Sequence, residues 1–161
     1  MIDKPNTTSL IMGVKSIKLN NLLINENLFQ PNSSEVEASI AQLTSFSAEN
    51  ELGVFSITMT FRYIDTKVEI FSLTVTTEFR LIGLTKLGSQ DDNVELAFDT
   101  IVSCLSMALG HTRTYISQLA TPSVFKDQIS LPIFNPVKIA EELYPNFLKK
   151  NEKRETVCRA Q

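Results

Sequence analysis

The sequence predicts an α+β protein, with about four β-strands that follow one another along the chain and then a long and a short helix. Two runs between Leu52 and Leu84 alternate apolar and polar residues, which is typical of half-buried strands. After Gly88 the apolar period becomes helical, and no helical pattern separates the strands before it. Strands grouped ahead of helices favour α+β over α/β. A length of 161 residues, 43% of them hydrophobic, fits one domain.

The two clearest strands run from Leu52 to Tyr63 and from Val68 to Leu84. The apolar face of the first consists of Phe55, Ile57, Met59, Phe61 and Tyr63. The apolar face of the second consists of Phe71, Leu73, Val75, Phe79 and Leu81. Because only a short polar break, residues 64–66, separates the two runs, we expect an antiparallel hairpin with one dry face and one wet face.

Two weaker strand patterns precede this hairpin, from Leu10 to Ile24 and from Val36 to Phe46. The connection between them, residues 25–34, is polar except for an isolated Leu28-Phe29 pair. Together the four runs predict a sheet of about four strands.

The long helix is predicted to begin after the polar break at residues 88–92 and to end near Ala120. Ser89 or an aspartate that follows it can serve as the N-cap, with negative charge at the positive end of the helix dipole. Beside the main apolar stripe lies a second one: Ala97, Cys104, Ala108 and Tyr115. A helix that is apolar over so much of its circumference is either an oligomer contact or a deeply packed core helix. The pattern leaves both open.

The short helix is predicted to begin at Asn135-Pro136, an N-cap followed by proline at the first helical position. It follows an apolar segment, ISLPIFNP (Ile129–Pro136), whose prolines forbid a helix and disfavour a central strand. Its alternation suggests Ile129, Leu131 and Ile133 lying flat on a dry surface. We expect residues 1–148 to form a single domain and the polar residues 149–161 to form a flexible tail.

Charge and hydropathy exclude several classes of function. A net charge of −3 with scattered Lys and Arg does not suit nucleic acid. No segment approaches the ~20 apolar residues that span a bilayer, and the N-terminus lacks the apolar core of a secretory signal. Two cysteines, Cys104 and Cys158, suggest neither a disulfide framework nor a metal site. We expect a soluble cytoplasmic protein.

Residues that could carry catalysis are scarce, so we do not expect an enzyme. His111 is the only histidine, and Ser106, five residues before it, lies off its helical face. Five glycines form no phosphate-binding loop, and no cofactor or metal is predicted. A lone histidine in a helix is more often a packing or hydrogen-bonding residue than a catalytic one.

Apolar pairs on the connections between elements need an explanation of their own. These pairs are Leu28-Phe29, Val124-Phe125 and Ile133-Phe134. Each could be a plug that closes the edge of a small sheet. Together they could instead line an extended groove that accepts unfolded polypeptide through apolar burial and strand-like backbone pairing.

The order of the elements and the second half of the chain resemble the SecB family of protein-export chaperones. The local match is best in residues 113–143, RTYISQLATPSVFKDQISLPIFNPVKIAEEL, and weaker in residues 22–30, LLINENLFQ. The first resembles the family's segment with Arg in the first helix, a turn with Phe, and a Pro-bearing pattern that opens the last helix. The resemblance extends over residues 14–147.

The resemblance implies a four-stranded antiparallel sheet with one face covered by a long and a short C-terminal helix. It also implies dimers joined through sheet edges, two dimers meeting through their long helices, and an ATP-independent holdase that binds unfolded polypeptides. On this chain the implied client-binding groove consists of Leu28, Phe29, Val124, Phe125, Ile133, Phe134, Leu143, Tyr144 and Phe147. The helix contact between dimers would explain the stripe of Ala97, Cys104, Ala108 and Tyr115.

Two departures put delivery to an export motor in doubt. Export members of the family present acidic residues on the exposed face of the sheet, where this chain has Ser72, Thr74 and Thr76. The family's C-terminal motor-binding segment is not recognisable in residues 149–161. The alternative is a specific protein–protein interaction module on the same scaffold, such as a chaperone dedicated to one partner or to an aggregation-prone antitoxin.

Overall fold

A computed structural model describes residues 11–32, 35–47, 49–83 and 98–143. Four strands come first: β1 (Ile11–Ile24), β2 (Val36–Ser47), β3 (Leu52–Tyr63) and β4 (Glu69–Ile82). Two helices follow in the described part of the chain: α1 (Phe98–Ala120) and α2 (Pro136–Leu143). A 3-10 turn, Glu26–Leu28, lies between β1 and β2. The predicted α+β class is confirmed.

The four strands form one antiparallel sheet in the order β1-β4-β3-β2. Strands β2, β3 and β4 are joined by short turns, so each pairs with the next along the chain. Strand β1 instead lies on the far side of β4, where Leu22 is opposite Leu73. The connection from β1 to β2 therefore leads from one edge of the sheet to the other, and we call its described residues, 25–32 and 35, the crossover segment.

The alternation predicted for the central strands decides which face of the sheet is dry. Every second side chain of β3 from Phe55 to Tyr63 is buried, and the four residues of β4 that pair with those from Phe55 to Phe61 are buried with them. Helix α1 packs across this face, chiefly on β4 and β3. Its buried side chains recur at helical spacing: Ile101, Cys104, Leu105, Ala108, Leu109, Thr112 and Ile116. One face of the sheet is thus covered by helices, as expected.

The opposite face of the sheet is lined with hydroxyl groups that pair across β3 and β4. Three pairs follow one another: Ser56–Thr76 at 2.8 Å, Thr58–Thr74 at 2.7 Å and Thr60–Ser72 at 3.1 Å. The row continues to β1 through the amide of Asn20, which bonds the Thr76 hydroxyl. Cross-strand hydroxyl pairs stabilise a sheet without burying apolar surface. The centre of this open face is therefore polar and uncharged.

Helix α2 begins where the sequence predicts. The Asn135 side-chain oxygen accepts the Val137 N–H at 3.0 Å and the Lys138 N–H at 3.4 Å, which satisfies two of the unpaired donors of the first turn. Pro136 occupies the first helical position. The start predicted for α1, at residues 88–92, lies outside the described residues.

Candidate functional site

The crossover segment carries two exposed apolar side chains, Leu28 and Phe29, the latter 36% exposed. Its 3-10 turn has three residues and no side-chain cap. Asn25 attaches the start of the segment to β4, through its N–H to the Ile70 carbonyl at 2.9 Å and its side-chain amide to the Glu69 carbonyl at 3.3 Å. The N–H groups of Leu28 and Phe29 donate within the turn, at 3.0 and 3.1 Å, and contacts with other elements hold the stretch that follows.

The connection from α1 to α2, residues 121–135, begins with two tight turns around Phe125. The Ser123 hydroxyl donates to the Ala120 carbonyl at 2.7 Å and accepts the Phe125 N–H at 3.2 Å. The Phe125 carbonyl then accepts two N–H groups, from Gln128 and Ile129, each at 2.9 Å. These bonds direct the Phe125 ring into the core, where it is 0% exposed, and leave its neighbour Val124 on the surface.

The crossover segment and the helix connection meet at an aromatic pair. The rings of Phe29 and Phe125 lie edge to face, with centroids 5.9 Å apart and planes at 69°. Such T-shaped pairs add about 0.5–1.5 kcal/mol beyond the area they bury. The crossover segment thereby lies against the buried ring of the other connection.

Next to this pair, three residues from three parts of the chain form a closed ring of hydrogen bonds, which we call the clasp. The Tyr63 hydroxyl, at the end of β3, accepts the Gln30 N–H at 3.0 Å and donates to the Gln128 side-chain oxygen at 2.7 Å. The Gln128 side-chain amide donates to the Gln30 carbonyl at 2.8 Å. Both backbone groups of Gln30 are thus bound by side chains that also bind each other. The Tyr63 side chain itself is buried.

The segment ISLPIFNP lies along the surface of the core and does not form a strand. The Arg113 guanidinium, on α1, donates to the Pro132 carbonyl at 3.0 Å and holds the segment against the helix. Ile129 and Leu131 pack on the core as expected, but Ile133 does not: it is 90% exposed. The expectation that all three residues lie on a dry surface is wrong for Ile133: the residues packed on the core are Ile129, Leu131 and then Phe134, three positions after Leu131. The alternation therefore shifts, and Phe134 faces the core instead.

Phe134 and Ile139 flank the N-cap of α2 at the positions of a hydrophobic staple, and both are partly buried on the core. Val137, on the first turn, is exposed. Together with Ile133 it leaves apolar surface at the start of the helix.

Of the nine residues predicted to line a groove, four are exposed: Leu28, Phe29, Val124 and Ile133. Phe134 is partly buried, and Phe125 is covered, so Phe125 could only form a floor beneath Phe29. Leu143 ends α2, and its side chain, Tyr144 and Phe147 lie outside the described residues. The buried Phe125 fits the plug interpretation, and the four exposed residues fit the groove interpretation.

Sequence reasoning missed Tyr63 and Gln128 as parts of this site. Tyr63 was predicted only as a core residue of its strand, and its ring is indeed in the core. No local pattern relates it to Gln128, 65 positions further along the chain, or to Gln30, 33 positions before it.

The second apolar stripe of α1 is explained largely within one chain. Cys104 and Ala108 are buried against the sheet, and Tyr115 is partly buried on the same core. The Cys104 thiol lies 3.1 Å from the Met12 sulfur, and burial raises the pKa of this thiol to about 12. Ala97 lies outside the described residues. Cys104 and Ala108 leave no surface for another chain, so the core-helix alternative accounts for them, and the oligomer contact stays a prediction.

His111 has a structural partner. Its Nδ1 lies 3.2 Å from the hydroxyl of Thr77, a buried residue on the dry face of β4, and burial lowers the pKa of the imidazole. Within the described ranges no three His, Cys, Asp or Glu side chains are grouped as metal ligands. Neither described helix is long and apolar enough to cross a membrane.

Comparison with known proteins identifies the fold. No family model and no curated protein matches this chain. Its structure is similar to that of a SecB-like chaperone of Mycobacterium tuberculosis in complex with a ChAD peptide from the HigA1 antitoxin. The TM-score is 0.54 at 12% sequence identity, over 77% of this chain and 90% of that chain. This similarity shows that the chain has a SecB-like fold.

A second solved structure is similar to a lesser degree. It is a protein of unknown function from Streptococcus agalactiae, with a TM-score of 0.43 at 8% identity, over 78% of this chain and 99% of that chain.

Proposed function

We propose that this protein is an ATP-independent chaperone that binds unfolded polypeptides and needs no cofactor. The observation that carries the proposal is the exposure of apolar side chains on the two connections that border the core, above all Ile133 at 90%. Leu28, Phe29 and Val124 add to it. The SecB-like fold supports the same function. We call these four residues the client surface.

The chemistry of the client surface suits a nonspecific guest. Burying apolar area contributes about 25 cal/mol per Å², and it requires no particular sequence in the guest. Strand β2 lies at the edge of the sheet and has no proline along its 12 residues, so its backbone could pair with an extended chain. Apolar contacts would provide the affinity, and backbone pairing would hold the guest extended.

A chaperone dedicated to one partner is the second candidate. The M. tuberculosis protein of similar fold was solved with a peptide from an antitoxin. In that role the client surface of this chain would bind one particular segment of one partner protein. Stoichiometric co-purification of a single partner, with no binding of unrelated unfolded chains, would favour this candidate over a general holdase.

The open face of the sheet gives little support for docking to an export motor. Its central hydroxyls bond each other, and Glu78 accepts a hydrogen bond from Ser16 at 2.9 Å. A basic partner would find few free carboxylates there. We therefore leave export delivery out of the proposed function.

We also propose that the chain assembles through β1 and then through α1, as a dimer of dimers. β1 is an edge strand, and three side chains on its helix-covered face are nonetheless exposed: Val14, Ile17 and Leu22. Between Ser103 and Gln118 the exposed residues of α1 are uncharged and mostly small: Ser103, Ser106, Met107, Gly110, Thr114, Ser117 and Gln118. Both surfaces suit burial against another copy.

The proposed function is tested by adding the protein to a slowly refolding client and following its refolding and aggregation. We expect both to be slowed at a few-fold excess of the wild-type protein. Ile133→Ser should weaken client binding about tenfold, since burying one such side chain contributes about 1.5–3 kcal/mol and a shallow surface captures part of it.

Ile82→Ser is the matched control, because Ile82 is 43% exposed but lies on the opposite face of the sheet, at the end of the interior strand β4. It should bind clients like the wild type. Undiminished refolding of the client in the presence of wild-type protein would rule out a holdase.

A further inference from the structure

The clasp fastens the crossover segment over Phe125, the buried ring against which Phe29 of the client surface lies; we call this place beside the Phe125 ring the aromatic site. Gln30, which both clasp side chains bind, follows Phe29 in sequence, and Phe29 lies edge-on against Phe125. The position of the Phe29 ring thus depends on where the clasp holds the Gln30 backbone.

Other bonds hold the two ends of the segment, those of Asn25 at its start and, at its end, the Glu35 carbonyl, which accepts the Ile64 N–H at 3.0 Å. Its 3-10 turn is short and has no side-chain cap, and the Phe29 N–H donates to the Glu26 carbonyl at 3.1 Å. The clasp, by contrast, engages both backbone groups of Gln30 through two side chains that order each other. Phe29 itself keeps more than a third of its surface exposed while it covers a ring that is fully buried. The Phe29 ring, from the protein's own chain, therefore occupies the aromatic site beside Phe125.

We propose that the clasp is an autoinhibitory latch, in which the Leu28-Phe29-Gln30 stretch occupies the place that an aromatic side chain of an extended guest polypeptide takes on Phe125. The inference rests on the proposed function and adds its regulation. A guest gains the edge-on contact with Phe125 only after Gln30 leaves Tyr63 and Gln128. The latch keeps the Phe125 ring covered when no guest is present. At this one place on an otherwise nonspecific surface it favours aromatic side chains of the guest, because only they replace the ring contact that Phe29 provided.

Two variants open the latch in different ways. Gln128→Ala removes both bonds of the side-chain amide, and Tyr63→Phe removes the hydroxyl while keeping the ring. Their affinity is measured for a synthetic peptide of alternating phenylalanine and serine with lysine at both ends, and for the same peptide with alanine in place of phenylalanine.

We expect each variant to bind the phenylalanine peptide roughly three- to tenfold more tightly than the wild type, since the guest no longer competes with the clasp bonds. The alanine peptide should bind the variants and the wild type with the same affinity. Asn50→Ala, at an exposed amide side chain in the turn between β2 and β3, controls for the substitution, and Arg113→Ala loosens the helix connection at Pro132 without touching Gln30. Neither should gain affinity.

Hydrogen exchange provides a second readout on the wild-type protein. The Gln30 amide should exchange faster when the phenylalanine peptide is bound, because its acceptor on Tyr63 is lost. Slower exchange, or equal affinity of wild type and both latch variants, overturns the latch even if the wild type binds peptide. An equal gain for both peptides also overturns it. If neither wild type nor variants bind peptide, the latch and the proposed function both fail.

Discussion

Gly53, the second residue of β3, lies where a larger side chain would not fit. A Cβ atom added at Gly53 would lie 2.9 Å from Leu81 Cδ1 and 3.1 Å from the Phe46 ring. Leu81 is fully buried, so its methyl group cannot simply turn out into solvent. Glycine is therefore required here by the close approach of two side chains from neighbouring strands.

Gly53→Ala should lower the free energy of unfolding by about 1–3 kcal/mol, the usual cost of overpacking a core. Urea unfolding followed by circular dichroism measures it. Gly13→Ala, on β1, is the matched control, since nothing lies within 4 Å of its Cβ position. It should raise stability by about 0.4–1 kcal/mol by restricting the unfolded chain. Equal effects of the two substitutions would show that Gly53 is not confined.

At the scale of elements, α2 depends on its cap more than α1 does. Its eight residues are too few to be stable as an isolated helix. Asn135 and the packing of Phe134 and Ile139 on the core therefore decide where it begins. The same boundary sets the direction of Ile133, two residues before the cap, and so positions part of the client surface.

Asn135→Ala should lower the free energy of unfolding by about 1 kcal/mol, since two N–H groups of the first turn lose their acceptor. Asn135→Asp keeps an oxygen in place and adds a negative charge at the positive end of the helix, so it should retain most of the stability. Thermal unfolding of the two variants beside the wild type measures the difference. A loss in Asn135→Asp equal to that in Asn135→Ala would mean that the cap contributes nothing.

Element boundaries were largely predictable because they rest on local patterns. The alternation of apolar and polar residues predicted the ends of β2, β3 and β4 to within two residues. The Asn135-Pro136 pair predicted the start of α2. Local patterns failed at Ile133, where the core-packed residue after Leu131 is Phe134 and the alternation shifts. Such a shift depends on what the segment packs against, and this is absent from the segment's own sequence.

At the scale of the whole molecule, the sheet has two different edges. On the β1 side, α1 leaves Val14, Ile17 and Leu22 exposed on the face that the helices cover elsewhere. Exposed apolar side chains on a long edge strand invite pairing with another chain. The proposed dimer of dimers begins at this edge.

Light scattering at micromolar concentration should therefore give a mass larger than one chain of 18.0 kDa, and four chains for the complete assembly. Leu22→Lys should reduce the mass, because a charge on the edge strand opposes pairing while its stem still covers apolar surface. Leu43→Lys, on the other edge strand, should leave the mass unchanged. A wild-type mass of one chain would contradict the proposed assembly.

The sequence by itself determined the strands, the helices, the cap of α2 and the sides of the central strands that are dry, because periodicity and capping are properties of neighbouring residues. Only the tertiary structure decided that β1 lies beside β4, that Cys104 and Phe125 are buried while Ile133 is exposed, and that Gln30, Tyr63 and Gln128 form a ring. These features depend on residues far apart in the chain being brought together, and packing of the whole core is what brings them there.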